Sequence, residues 1–247
     1  MLIFQLNPII NYECFYQKFS EKGIIGKFQK MIILLQFPLF QGMSRDDLSL
    51  VAGHTKFGFL KTAAGQIVVK EDETCNQLFF LLSGSLRVET RSDDHSYCVI
   101  EQLAAPYVLQ PEAIFGYNQR FTHTFTALTE CSFITIGKDE VLRLSEEFLV
   151  FRLNILGLYA TQTQKLLRIF WHRHPKTLRE RVIRFFRLHC LYPAGPKSFH
   201  ILMTKLAAEV GDSRLDVSRV LNKLQDDGLL TLHRGRIDVP QMERLLM

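Results

Sequence analysis

The sequence predicts an α+β chain with an amino-terminal antiparallel β-roll, one long helix and a carboxy-terminal winged helix-turn-helix. Three observations carry that expectation. Short runs of alternating apolar and polar residues fill the stretch from Phe57 to Ile136. A heptad-like apolar spacing then runs from Leu149 to Phe170. Finally, two helical patterns separated by Gly211 are followed by two strand-like runs joined at Arg234-Gly235-Arg236.

Taken in chain order, residues 1–30 read as an amino-terminal extension, either an accessory segment or a stretch upstream of the biological start. Its opening, MLIFQLNPII, lacks a basic n-region and a small-residue cleavage site, and Asn7 and Pro8 break its apolar run. It is a poor signal peptide. Met31 opens a β-roll domain expected to end near residue 145, and Ser44 with Asp47 three residues on suggests a capped helix at its start. GQIVVKED, QLFFLLSGSLRVET, YCVIEQL and CSFITI then read as short strands of a barrel or roll. Gly65 and Gly84 fall where such runs need a tight turn or a close backbone approach.

Residues 146–174 are the long-helix candidate. Leu149, Leu153, Leu156, Ala160, Thr163, Leu167 and Phe170 follow one another at alternating steps of four and three, a heptad seam. Phe148, Phe151, Ile155 and Tyr159 form a second apolar flank. One side can therefore pack on the roll while the seam meets a second copy, so a homodimer is expected.

Residues 175–247 carry the winged helix-turn-helix. Thr177 caps a helix whose Val182, Phe185, Phe186 and Cys190 face inward. Leu206, Ala207 and Val210 suit the buried side of a shorter helix, which Gly211 ends. In the next helix Ser213 is the expected N-cap, with the Asp216 carboxylate reaching back to the cap amide. Val217, Val220, Leu221 and Leu224 share its inner face. At about 100° per residue the opposite face holds Leu215, Ser218, Arg219 and Asn222, flanked by Arg214 and Lys223. Arg, Asn and Ser can hydrogen-bond base edges, and a Ser at a helix start can take a phosphate. Gly228 stops this helix, and the strands LLTL and RIDV form a wing with Arg234 and Arg236 at its turn.

Charge agrees with that placement. The 247 residues carry a net charge of +5, yet from Arg168 onward there are 15 Lys+Arg against 8 Asp+Glu, leaving 15 basic and 17 acidic groups before it. The positive excess sits with the helix-turn-helix, as an electrostatic footprint for duplex DNA requires. No run reaches the ~20 apolar residues of a membrane span. The cysteines at 14, 75, 98, 131 and 190 are scattered without a C-x-x-C pair, which fits free thiols in a reducing cytoplasm. The two His of WHRHP diverge on a helix, so no metal or other cofactor is expected. No nucleophile-and-base spacing, phosphate-binding Gly loop or carboxylate pair points to an enzyme.

At the residues LAAEVGDSRLDVSRVLNKLQDDGLL and AAGQIVVKEDETCNQLFFLLSGSLRVET the chain resembles the Crp/Fnr family of bacterial transcription regulators, over about Met31 to the end. The resemblance implies a cyclic-nucleotide-binding-like roll and a homodimer on DNA, with RNA polymerase as a possible protein partner. It also implies that Ser213 contacts phosphate while Arg214 and Arg219 read bases. Leu215 stands where the family often has Glu, losing an acceptor for cytosine and offering an apolar contact to a thymine methyl. The effector stretch departs further. The family's Gly-Glu pair becomes Pro111-Glu112, and no Arg-Ser pair appears, Arg120-Phe121 being nearest. Glu112 and Arg120 are therefore the candidate pocket residues, and without an Arg-Ser cradle the effector is unassigned and not expected to be cyclic AMP. The competing reading is a ligand-binding or protein-interaction module whose winged helix is only a partner surface.

Overall fold

The computed structural model describes residues 26–171 and 174–247, so most of the amino-terminal extension, Cys14 and His172 of the His pair lie outside the described residues. Helix α1 (Lys27–Leu34) leads through a single 3₁₀ turn (Pro38–Phe40) to α2 (Arg45–His54). Ser44 caps α2 as expected, its hydroxyl accepting from the Asp47 amide at 3.0 Å. Eight strands follow: β1 (Phe57–Thr62), β2 (Ile67–Val69), β3 (Gln77–Ser83), β4 (Ser85–Arg91), β5 (Tyr97–Ala104), β6 (Tyr107–Leu109), β7 (His123–Ala127) and β8 (Cys131–Gly137). Helix α3 (Lys138–Glu147) precedes the long α4 (Leu149–Trp171). The carboxy-terminal part holds α5 (Leu178–Leu188), β9 (Lys197–Ile201), α6 (Met203–Val210), α7 (Arg214–Asp226), β10 (Thr231–His233), β11 (Arg236–Val239) and a short α8 (Met242–Leu245).

The roll is built as the alternation requires. In β4 Leu86 and Val88 point into the core, and in β8 Phe133 packs against Phe79 of β3. Burying such large side chains supplies most of the driving force at about 25 cal/mol per Å² of apolar surface. Gly84 is required between β3 and β4. Its φ of +95° is left-handed, and a Cβ there would lie 2.5 Å from the Glu130 carbonyl oxygen. Gly65 has φ +84° with open space around it, a turn without a close approach. Helix α4 closes the roll with Phe151 and Ile155, which are buried, and Asn154 Nδ2 donates to the carbonyls of Leu39 and Gln41 at 3.0 and 2.8 Å.

Among the described residues one sheet has the order β1-β8-β3-β6, and the other runs β10-β11-β9-β5-β4-β7-β2. The second sheet crosses from the winged helix into the roll. Strand β9 (KSFHI), unforeseen in the sequence, pairs antiparallel with β5, placing Tyr97 opposite Ile201 and Glu101 opposite Lys197. Val99 of β5 accordingly belongs to the winged-helix core with Val182, Phe186, Phe199, Val217 and Leu221. At the end of this pairing Lys197 Nζ meets Glu101 Oε1 at 3.1 Å, with both side chains 2% exposed or less. Glu101 also accepts from the Leu191 amide at 2.9 Å, and Lys197 donates to the Ala194 carbonyl at 2.7 Å. The loop after α5 thus folds over the ion pair and satisfies it, as a buried charge requires.

Candidate nucleic-acid interface

The turn between α6 and α7 is set from three sides. Gly211 adopts φ +66°, and the Asp212 amide reaches back to the Ala207 carbonyl at 3.1 Å, ending α6 in the left-handed way that glycine permits. From α5, Arg181 donates to the Val210 carbonyl at 3.0 Å and pairs with Asp212. Thr177 and Glu180 form a capping box at the start of α5, as the expected Thr177 cap suggested. Val182, Phe185 and Phe186 face inward, while Cys190 is half-buried just beyond the helix.

Ser213 is the N-cap of α7, its hydroxyl accepting from the Asp216 amide at 3.1 Å. The reciprocal half of the expected box is different. The Ser213 amide donates to Asp212 Oδ1 at 2.8 Å, because the preceding aspartate is closer to hand in the tight turn. The Asp216 carboxylate instead accepts from the Ser213 hydroxyl at 2.6 Å and from Arg219 Nη1 at 2.9 Å. Those two donors, the hydroxyl foremost, hold the Asp216 carboxyl below its ordinary range.

The two faces of α7 separate cleanly. Val217, Leu221 and Leu224 are buried and Val220 is half-buried. Arg214, Leu215, Arg219, Asn222 and Lys223 are exposed, with Ser218 half-buried among them. The Arg219 side chain is 69% exposed even while touching Asp216, so its remaining donors face solvent. On the wing, Gly235 turns at φ +73° and leaves Arg234 exposed at the tip. Arg236 is held back along the hairpin by Asp238 at 3.1 Å, which also meets His233 at 3.1 Å. A groove of about 440 Å³ brings Arg214 and Arg234 together across Leu202, Met203 and Gly235. Leu202 and His233 join this face without having been singled out from sequence. The signal available for Leu202 was its place at the N-cap of the short helix, where an exposed leucine has no core to serve.

The candidate effector residues Glu112 and Arg120 lie in the loop between β6 and β7. Both are exposed, and Arg120 Nη1 donates to the Asp72 carbonyl. Among the described residues no hydrogen bond or ion pair joins the two. The organising residue is Gln110, missed in the sequence, whose backbone is left-handed at φ +33°. Its side-chain oxygen accepts from the Thr122 and His123 amides at 3.0 and 3.2 Å, and its nitrogen donates to the Thr122 hydroxyl at 2.7 Å. Tyr159 of α4 adds a hydroxyl bond to the Pro111 carbonyl at 2.7 Å.

On α4 the seam faces outward. Leu149, Leu153, Leu156, Ala160, Thr163 and Leu167 are exposed, each of the leucines by more than half. The side chain of Phe170 lies outside the described residues. The opposite flank, Phe148, Phe151, Ile155 and Tyr159, packs on the roll.

Two family models match the chain in order. One, described as a cyclic nucleotide-binding domain, covers residues 59–148, and the other, a Crp-like helix-turn-helix domain, covers residues 180–247. Together they span more than half of the chain. No curated protein matches. Among solved structures, a putative transcriptional regulator of the Crp/Fnr family from Eubacterium rectale is 19% identical at a TM-score of 0.50, over 85% of this chain and 97% of that one. The Catabolite Activator Protein of Thermus thermophilus is 21% identical at a TM-score of 0.48, with the same coverage. DNR from Pseudomonas aeruginosa is 16% identical at 0.45, over 90% of this chain and 99% of that one. At these identities the likeness, which the first of the three carries, concerns the fold alone.

Proposed function

We propose, from the premise that this chain belongs to the Crp/Fnr family of DNA-binding transcription regulators, that it acts as a homodimer on specific duplex DNA without requiring cyclic AMP. The family is one of regulators rather than enzymes. Among the described residues no helix is long and apolar enough to cross a membrane, and the cytoplasm is the compartment the proposal assigns.

The observation that carries the DNA reading is the presentation of α7. Its inner side is fixed in the core, while Arg214, Leu215, Arg219 and Asn222 are exposed, Arg219 leaning on Asp216, with Ser213 at the helix start and Arg234 of the wing across the groove. In this reading Arg219, Arg214 and Asn222 read base edges, Leu215 meets a thymine methyl, and Ser218 supports them. Ser213, Lys223, Arg234 and Arg236 hold phosphates, which position without specifying. The outward seam of α4 supports the dimer, since two such helices would bury the leucines that one chain leaves in water. Dimerisation in turn spaces two recognition helices about 34 Å apart, one turn of duplex.

The absence of an Arg-Ser pair, together with Gln110 spending its amide on Thr122 and His123, supports independence from cyclic AMP. A cyclic phosphate would be desolvated there without a matching cation. Selection of bound sequences from random duplex DNA tests the whole reading. The expected result is a two-fold symmetric site whose affinity falls steeply between about 50 and 200 mM salt. Salt-independent binding, or no enriched sequence, would leave the winged helix as a protein-partner surface.

A further inference from the structure

Two domains of one chain move against each other by default, unless the surface between them is large and apolar. The roll and the winged helix go further and share a core, since Val99 of β5 belongs to the same buried cluster as Phe199, Ile201 and Val217. Contacts at separate points surround that shared strand. Tyr97 of β5 stands edge-on to the rings of Phe185 and His189, with centroids 5.7 and 5.4 Å apart, and its hydroxyl lies 2.9 Å from His189 Nε2. In the turn leading into β5, Asp94 takes Lys205 of α6 at 3.0 Å, and the same ammonium lies over the Tyr97 ring. Tyr107 of β6 meets Tyr192, in the loop after α5, edge-on at 6.1 Å.

A rotation of the winged helix against the roll would have to part β9 from β5. Strand β9 cannot simply stay behind, because it is bonded to β11 on its other side and buries Phe199 and Ile201 in the winged-helix core. Parting would also uncover Val99 and separate Glu101 from Lys197. Nothing is gained at the recognition helix in exchange, since Arg214, Leu215, Arg219 and Asn222 are exposed while the strands are paired.

We infer that the β5–β9 pairing is a fixed joint, which keeps the winged helix seated on its own roll both in the free protein and on DNA. Helix α7 is then presented without a domain swing and without an effector to drive one. An orientation that is already populated leaves no inactive fraction for a ligand to recruit. This rests on the DNA-binding function proposed above, and its test has one readout that needs no DNA.

The ladder itself offers a lock. Cys98 of β5 stands directly opposite His200 of β9. Both are half-buried on the outer face of the sheet, since Val99 and Phe199 take the inner one. Opposite residues of an antiparallel pair have Cα atoms about 4.5–5.5 Å apart, within the span of a disulfide. His200→Cys therefore gives Cys98 a partner across the joint, at the loss of the ring's 3.2 Å contact with the Ser198 hydroxyl. Ile100→Cys with Ser198→Cys, the next opposite pair on the same face, is the second lock.

Each full-length variant is oxidised with diamide, and the crosslink is counted by mass spectrometry of unreduced peptides. Oxidised and reduced forms are then titrated against the duplex that sequence selection yields. The crosslink is expected in most of the free protein, and the locked form should bind within about threefold of its reduced form. If neither lock closes, the strands are not paired in solution and the joint is overturned. A locked protein that loses the duplex and regains it with dithiothreitol overturns it too, because binding then requires the strands to part. A wild type that binds no selected duplex sinks the proposed function together with the DNA-bound half of this inference, whereas a wild type that binds beside a locked form that does not sinks this inference alone.

Discussion

Replacing Lys197 with Met removes one half of an ion pair that water does not reach. The Glu101 carboxylate would stay buried with only the Leu191 amide close by, since the Tyr192 amide stands off at 3.5 Å. Leaving one partner of a buried pair unpaired costs about 3–5 kcal/mol. The 2% and 1% exposures of the two side chains place this pair at the buried limit where that range applies. For a chain of this size each kcal/mol moves Tm by about 2–4 °C, so Lys197→Met should lower Tm by roughly 6–20 °C. The double variant Glu101→Gln, Lys197→Met removes both charges and keeps the amide acceptor for Leu191. It should recover most of the loss. Differential scanning calorimetry of the three proteins at one protein concentration reads both effects. A single variant within about 1 °C of wild type, or a double variant no better than the single, would refute the claim that this pair joins the two halves of the sheet.

Three further outcomes are expected. Leu153→Glu with Leu156→Glu would bury unpaired charge in the proposed α4 seam, so sedimentation should show a dimeric wild type and a monomeric or insoluble variant. Arg219→Ala should cost about 1–3 kcal/mol per half-site and relax preference at one base, whereas Arg234→Ala should weaken all sequences alike and reduce the salt slope. Titrations against specific and scrambled duplexes at two salt concentrations separate the two. Burial pushes the His123 imidazole down to about 4 from its ordinary 6.5, so the neutral ring is the folded form. The stability this gives is present above pH ~6.5 and is lost as pH falls toward ~4, by up to roughly 3 kcal/mol. Urea melts across that window should show a shallower decline for His123→Gln, and parallel curves would contradict the assignment.

The parts of the fold that were legible in the sequence are those with local causes. The Ser213 and Thr177 caps, the Gly211 turn, the basic wing turn and the two flanks of α4 are each written within about one or two helical turns of chain. Strand β9 was not, because its five residues carry little pattern of their own and its partner lies about a hundred positions upstream. Nothing near Glu101 or Lys197 in the chain marks either as buried, since only the tertiary pairing takes them out of water. Strand β7 is hidden for a different reason. The alternation of HTFTA is present in the chain, but it spans only five residues inside the effector stretch. At the interface, the link from Asp216 to Arg219 follows the i, i+3 rule, alongside the capping contact that the spacing from Ser213 predicts.

Strand β5 owes its lack of a free edge to the winged helix. It is bonded to β4 on one side and to β9 on the other. A fragment ending after α4 would keep the first neighbour and lose the second. Residues 97–101 would then present unsatisfied amides and carbonyls, with Val99 stripped of its apolar cover. Such a strand is a template for pairing with another chain. Cutting the protein into its two apparent modules therefore yields a roll expected to self-associate, with the DNA-binding part acting as the cover that keeps its sheet from growing.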